Sequence, residues 1–340
     1  MSSRFFARFT GATVAVLLGT TALASAQVAP KAPAKPDTPA IQQHVDMAKA
    51  LARDEFAFFH NRYCNPGDTA GQEAGAKERA AMVMPPTKVF DNLYYVGLAS
   101  VGSWALKTSA GIILFDALNT PEEAQQFIVG GLAKLGMDAK DIKYIVVMHG
   151  HGDHFGGAQY LKDKYGPHIL MSAIDWDYMN ARKNAGGGNP RWKDLIPKHD
   201  TDVTDGQKLT LGDTTVTLFI TPGHTPGTLS AMLDVYDNGQ KHTAAFWGGT
   251  GLPGTKDSLT QYESSVRKFW LTASAAGADV LTSNHPYLDN TLTNLPKVRA
   301  RKAGEPNPFV IGSASYAAYM GVLHECVVAA QMRLTAAPGS

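Results

Sequence analysis

The sequence predicts an α/β fold in which two β-sheets pack face to face and helices cover their outer sides. Three observations carry this. From Thr87 onward, short apolar runs suited to buried strands alternate with longer stretches of helical periodicity. The alternation comes in two similar halves, and stacked sheets with outer helices bury both. The 340 residues are 44% hydrophobic and 18% charged, a globular balance with length for one large domain or two small ones. A formal net charge of +1 gives no electrostatic argument for nucleic acid or an anionic membrane surface.

In chain order, residues 1–26 read as an export signal. Arg4 and Arg8 are its positive region, Gly11 to Thr20 its apolar stretch, and Ala24-Ser25-Ala26 its A-x-A cleavage site. A membrane anchor needs about 20 apolar residues, so no stable membrane association is expected after cleavage. The expected location is the periplasm. In that oxidising compartment Cys64 and Cys326 are expected to pair, tying an N-terminal segment to a C-terminal helix. The alternative is two buried free thiols.

Residues 27–86 read as a Pro/Ala-rich tether followed by a helical extension: Ile41 to His60 as one helix, a turn at Asn65-Pro66-Gly67-Asp68, and Ala70 to Ala81 as a polar loop. The main domain spans 87–340. Its strands are expected at Lys88-Val89-Phe90, Leu93 to Val96, Ser103 to Leu106, Gly111 to Phe115 and Tyr144 to Val147. Further strands are expected at His168 to Met171, Thr214 to Ile220, the hairpin Leu229 to Tyr236 with Thr243 to Trp247, and Val280 to Thr282. Helices are expected over Pro121 to Leu135, Ala158 to Tyr165, Lys256 to Ala276, and a C-terminal stretch to about Leu334 with Ser315 as N-cap. Asn180 to Lys198 reads as a Gly-rich loop carrying Arg182, Arg191, Trp192 and Lys193; loops of that length often cover active sites.

One stretch carries chemistry: Met148-His149-Gly150-His151-Gly152-Asp153-His154-Phe155. It follows an apolar strand, and open α/β sheets bind ligands at the carboxyl ends of their strands. Residues two apart in extended backbone project to one side, so His149 and His151 can share one ion, while Asp153 and His154 turn toward a second. Imidazole and carboxylate both suit zinc. His224 in Thr221-Pro222-Gly223-His224 and His285 in Ser283-Asn284-His285-Pro286 have the same placement after apolar strands, and they complete a count of six. The other histidines, His44, His60, His168, His199, His242 and His324, lie in helix, surface or linker contexts. Asp116, at a strand end, reads equally as a partner for a ligating imidazole or as a turn acid.

These motifs, His149-Gly-His151-Gly-Asp153-His154, Thr221-Pro-Gly-His224-Thr-Pro-Gly227 and His285-Pro286, resemble the motif set of the metallo-β-lactamase superfamily. The resemblance covers about Thr87 to Pro286. It implies an αβ/βα four-layer sandwich of two mixed β-sheets flanked by helices. Many hydrolases of the superfamily place a metal-bridging Asp after the strand that here ends in Phe246-Trp247, and one subclass of β-lactamases places a Cys near there. This chain has Gly248-Gly249-Thr250. It is most similar to the third subclass of metallo-β-lactamases, which implies two zinc ions, one on His149, His151 and His224, the other on Asp153, His154 and His285.

The implied activity is hydrolysis of a small-molecule β-lactam, with antibiotic resistance as its consequence. A dizinc-bound hydroxide is the nucleophile, and Asp153 orients it. The Ser-rich stretch that usually binds the β-lactam carboxylate is missing, leaving Thr250 and the loop cations, Arg191 foremost, as substitutes. The rival readings are the same machinery on a lactone, another ester or a phosphodiester, and a non-catalytic zinc-binding protein.

Overall fold

The computed structural model describes residues 36–65, 75–80, 82, 84–184 and 192–336. The expected export signal, the start of the tether and Arg191 lie outside the described residues. Seven strands build the first sheet in sequence order: β1 (Thr87–Lys88), β2 (Leu93–Tyr95), β3 (Trp104–Thr108), β4 (Gly111–Phe115), β5 (Ile142–Val146), β6 (His168–Ser172) and β7 (Thr201–Val203). β1 to β4 are antiparallel, whereas β4 to β7 run parallel with helical crossovers. The second sheet has the order β12-β11-β10-β9-β8, from β8 (Gln207–Leu211), β9 (Thr214–Ile220), β10 (Leu229–Asp237), β11 (Gln240–Trp247) and β12 (Val280–Ser283). Only β11 and β12 pair in parallel, in the register Trp247↔Ser283. Both sheets are mixed, as expected.

Alternation along the strands sets the layers. Leu106, Ile113, Phe115 and Val146 of the first sheet meet Leu218, Ala231, Leu233 and Phe246 of the second in one core. The opposite faces carry Leu114, Ile145 and Ile169, packed under helices, and Ala245, Trp247 and Leu281, packed under the terminal helices. A strand buried on both sides reads as a continuous apolar run, which is why Ile112 to Phe115 and Ile145 to Val147 stood out.

The helices depart from expectation in several places. Ile41 to His60 is two helices, α1 (Pro39–Ala52) and α2 (Ala57–Cys64). Arg53, at φ 47°, ends the first by taking a left-handed conformation that a continuing helix excludes. α1 buries Ile41, Val45, Ala48 and Ala52, one helical stripe, against the C-terminal helix. Fully burying an Ile or Val side chain stabilises by about 1.5–3 kcal/mol, so this stripe fastens the extension to the domain. Residues 75–80 are helical rather than loop. Pro121–Lys134 is one helical stretch, α3, with wider π turns over Ala124–Val129.

A four-residue helix, α4 (Gly152–Phe155), follows the ligand loop, and α5 spans Ala158–Tyr165. The expected loop from Asn180 begins instead inside α6 (Ala173–Asn184), so Arg182 is helical. Ser172 accepts from the Asp175 amide at its start, a cap signal in Ser172-Ala-Ile-Asp175 that the sequence reading passed over. α7 (Lys256–Ala275) is followed by an unanticipated helix, α8 (Thr291–Ala300), and by α9 (Ser313–Thr335). Gly312, not Ser315, precedes α9; the Ser315 hydroxyl bonds Glu55 instead. No helix among the described residues is long and apolar enough to cross a membrane.

Cys64 at the end of α2 and Cys326 in α9 form a disulfide. It closes a loop of 262 residues, and Arg333 of α9 grips Asp37 ahead of α1 through two bonds of 2.8 and 2.6 Å. Cys64→Ser should therefore cost about 2–5 kcal/mol, read as a lower urea midpoint and as earlier proteolysis of the extension. An unchanged midpoint would mean that the helix packing alone holds the extension.

Candidate metal centre

Five strand ends meet at one edge of the sandwich. β4 delivers Asp116, β5 delivers His149 and His151, β9 delivers His224, β11 delivers Gly248 to Thr250, and β12 delivers Asn284 and His285. Hydrogen bonds between the two sheets fix the edge. Leu229 N donates to Met148 O at 2.7 Å, Gly102 N to Asn284 O at 2.7 Å, and the Trp104 indole to Ser283 O at 3.1 Å.

The structure brings all six expected ligands together in two triplets, His149 with His151 and His224, and Asp153 with His154 and His285, each with donor atoms within 4.8 Å of one another. What lies behind each imidazole decides which nitrogen faces the centre. His149 Nδ1 lies 3.0 Å from Gly248 O, His224 Nδ1 2.8 Å from Gly251 O, and His285 Nδ1 2.7 Å from Ser100 O. A carbonyl only accepts, so these Nδ1 atoms carry the proton and every Nε2 turns inward as a lone pair. His149 Nε2 and His224 Nε2 then face each other at 3.1 Å with no hydrogen between them. His151 presents Nδ1 instead, 3.1 Å from His224 Nε2, with its Nε2 3.3 Å from the Tyr178 hydroxyl. Lone pairs this close repel unless a cation lies between them, so the first triplet fits a metal ion.

The second triplet shows the same demand. His154 is fully buried; its Nδ1 donates to Asp116 Oδ2 at 2.7 Å, and its Nε2 has no hydrogen-bond partner, with Asp153 Oδ2 3.4 Å away. His285 Nε2 is 3.7 Å from the same oxygen. Asp116 adopts φ 61°, a conformation few residues but Asp, Asn and Gly tolerate, and this aims its carboxylate at both His154 and the Met148 amide, 2.8 Å away.

Electrostatics sort the groups. Burial, reinforced by neighbouring imidazoles, drives the pKa of His149 far below its ordinary value, that of His224 down to about 3 and that of His285 to about 4. Burial likewise takes His151 to about 4. These four stay neutral, as metal ligands must. Burial raises the carboxyl of Asp153, yet His154 and the other imidazoles outweigh it and hold the pKa well below the usual range. Burial also opposes charge on His154, but Asp153 and Asp116 raise its pKa to about 10. That proton neutralises two carboxylates, a task that a cation at Nε2 performs equally well.

Asp175 was not foreseen from the sequence. Fully buried, it accepts from Gly150 N at 2.7 Å, Thr225 Oγ1 at 2.6 Å and Gly227 N at 2.7 Å, clamping two ligand turns to α6. Trp192 lies over Gly152, where an added Cβ would come within 2.0 Å of its ring. Gly248 leaves no room either: a Cβ there would stand 1.9 Å from Leu229 O. Thr250 is buried and donates its hydroxyl to Asn284 Oδ1, so it is not the exposed hydroxyl expected. Lys193 and Arg182 are exposed, and among the described residues Arg182 bonds the Tyr178 hydroxyl. Of the six other histidines, five lie against carboxylates and His60 meets Val45 O at 3.2 Å.

A family model described as the metallo-beta-lactamase superfamily matches residues 96–231, which hold five of the six ligand positions. Over that stretch the chain is similar to this superfamily. It superposes on a subclass B3 metallo-β-lactamase of Bradyrhizobium japonicum with a TM-score of 0.58 at 29% identity, covering 76% of this chain and 94% of that one. For the FEZ-1 metallo-β-lactamase of Legionella gormanii the TM-score is 0.60 at 21% identity, over 74% and 95% of the two chains, a likeness of fold. Among curated relatives, the N-acyl homoserine lactonase AttM of Azorhizobium caulinodans is 30% identical over 175 residues, 46% of this chain. That match spans 64% of the lactonase, just under two thirds of its length.

Asp116→Asn should keep the fold but weaken metal binding about 10–100-fold, because the group that orients His154 loses its charge. Competition with a chromogenic chelator measures this. Unaltered affinity would reduce Asp116 to a turn acid.

Proposed function

We propose that this protein is a zinc-dependent hydrolase that opens the amide ring of β-lactams, acting after export to the periplasm. His149, His151 and His224 would hold one zinc ion, and Asp153, His154 and His285 the other. Once bound, such a pair supplies Lewis acidity that polarises a carbonyl and makes water a usable nucleophile near neutral pH.

The observation that carries the reading is at Gly248. The strand that precedes it offers no carboxylate to bridge the triplets, and the packing against Leu229 O leaves no space for one. His154 therefore stands in the second triplet, the arrangement that resembles subclass B3. The chain's own residues do the rest. Four imidazoles, locked from behind, stay neutral and fixed. Asp153, kept ionised, accepts a hydrogen bond from the attacking water and so aims it at the carbonyl. Asp116 holds the His154 Nδ1 proton throughout. No protein nucleophile is required.

Lactone hydrolysis is the second reading, favoured by the match to AttM lactonases. The same residues would act on a cyclic ester, where the leaving group is an alkoxide instead of an amine.

Purified zinc-loaded protein should hydrolyse a penicillin, a cephalosporin or a carbapenem, and EDTA should abolish that activity. Turnover of homoserine lactones alone would move the protein to the second reading. His151→Ala and Asp153→Ala should each remove most turnover while leaving the circular dichroism spectrum intact, since a packed sandwich does not owe its fold to a catalytic metal. Full activity with full metal content in either variant would refute the assigned roles.

A further inference from the structure

Beside the metal centre lies a cavity of about 210 Å³ lined by Arg62, Thr250, Gly251, Leu252 and Tyr287, among others. Two of its walls touch the centre itself. The Gly251 carbonyl accepts the His224 Nδ1 proton at 2.8 Å, and the Tyr287 ring lies 5.5 Å from the His285 ring. The cavity therefore borders both triplets.

Its cations come from the N-terminal extension. Arg62 sits in the last turn of α2, two residues before the disulfide cysteine. Arg79, in the helical segment 75–80, lays its guanidinium 3.9 Å from the Tyr287 ring centroid. Arg62 lines the same cavity as Tyr287, so both guanidinium groups gather about one side chain. Among the described residues no carboxylate pairs with Arg62 or Arg79, and the buried Nε of Arg79 has no hydrogen-bond partner. Arginine in such a place is a planar fork of donors matched to a carboxylate. Thr250 cannot serve, because its hydroxyl is given to Asn284.

We infer that Arg62 and Arg79 form the subsite for a substrate carboxylate, so that the extension selects anionic cyclic amides over neutral lactones. This rests on the hydrolase reading for its substrate, but the anion site is measurable without turnover. Position explains why two arginines, rather than the exposed Lys193 and Arg182, take the role: Arg62 lines the cavity and Arg79 stacks on its Tyr287 wall.

The test compares a cephalosporin free acid with its C4 methyl ester. Wild-type kcat/KM should favour the acid, and Arg62→Ala with Arg79→Ala should lower that preference at least ten-fold, chiefly through KM of the acid. Arg79→Lys keeps the charge and should restore part of it, while Arg79→Glu should reverse the preference. A preference unchanged in the double variant, or both substrates losing equally, would overturn the proposal. If neither compound is hydrolysed, the β-lactamase reading fails separately. Calorimetric binding of the intact acid and ester to zinc-loaded protein then decides the subsite: acid binding lost in the double variant supports it, and acid and ester binding alike in wild type overturns it.

Discussion

Everything at the edge of this sandwich depends on imidazoles being fixed from behind. A histidine side chain has two nitrogens and a rotating ring; it becomes a rigid donor only when one nitrogen is committed elsewhere. Here Gly248 O, Gly251 O and Ser100 O take the Nδ1 protons of His149, His224 and His285, and Asp116 takes that of His154. Each acceptor stands at the end of a strand or in the turn beyond it. Ligand direction is thus a property of the sheets, not of the flexible turns that carry the histidines.

The same logic explains why the two sheets must meet at this edge. A loop from the first sheet brings His149, but its orienting carbonyl belongs to the second. The first sheet's Trp104 and Gly102 bond the carbonyls of Ser283 and Asn284, next to His285. Asp175 closes the arrangement, since its two oxygens accept from the turns of both His149 and His224. Replacing any one of these acceptors by an apolar group would leave a buried donor unpaired, at about 1–3 kcal/mol, and would free a ring to rotate. Stability and ligand geometry are therefore set by the same bonds.

Much of this was legible because its signals are local. Apolar runs such as Ile112 to Phe115 mark strands, and three histidines and an aspartate within six residues mark a metal site. The expected six ligands come together because each directly follows an apolar strand, and such strand ends share one edge. What escaped notice depends on long-range contacts. Asp175 is an ordinary residue of a helix's first turn until the fold brings Gly150 and Gly227 to it. Thr250 seemed free because its partner, Asn284, is 34 residues away. Arg53 ended a helix whose apolar periodicity ran on to His60, since a single left-handed residue leaves no trace in hydrophobic pattern. Arg62 and Arg79 lie in a segment that reads only as a helical extension with a polar loop.

That segment separates chemistry from selection. The six candidate ligands lie within 149–285, beyond the ends of strands whose order is that of the superfamily fold. Both arginines lie before β1, and Arg62 sits on an extension fastened by the α1 stripe on α9, the Asp37–Arg333 pair and the Cys64–Cys326 bond. A group positioned this way can change without disturbing a ligand, because it shares no hydrogen bond with one. The anchoring also has to be tight. A guanidinium on a frayed helix would lose the gain of a carboxylate contact to side-chain and backbone entropy, whereas one placed two residues from a disulfide has already met that cost on folding. The crosslink thus gives binding a preorganised cation, and this makes an oxidised cysteine pair part of how the pocket chooses its substrate.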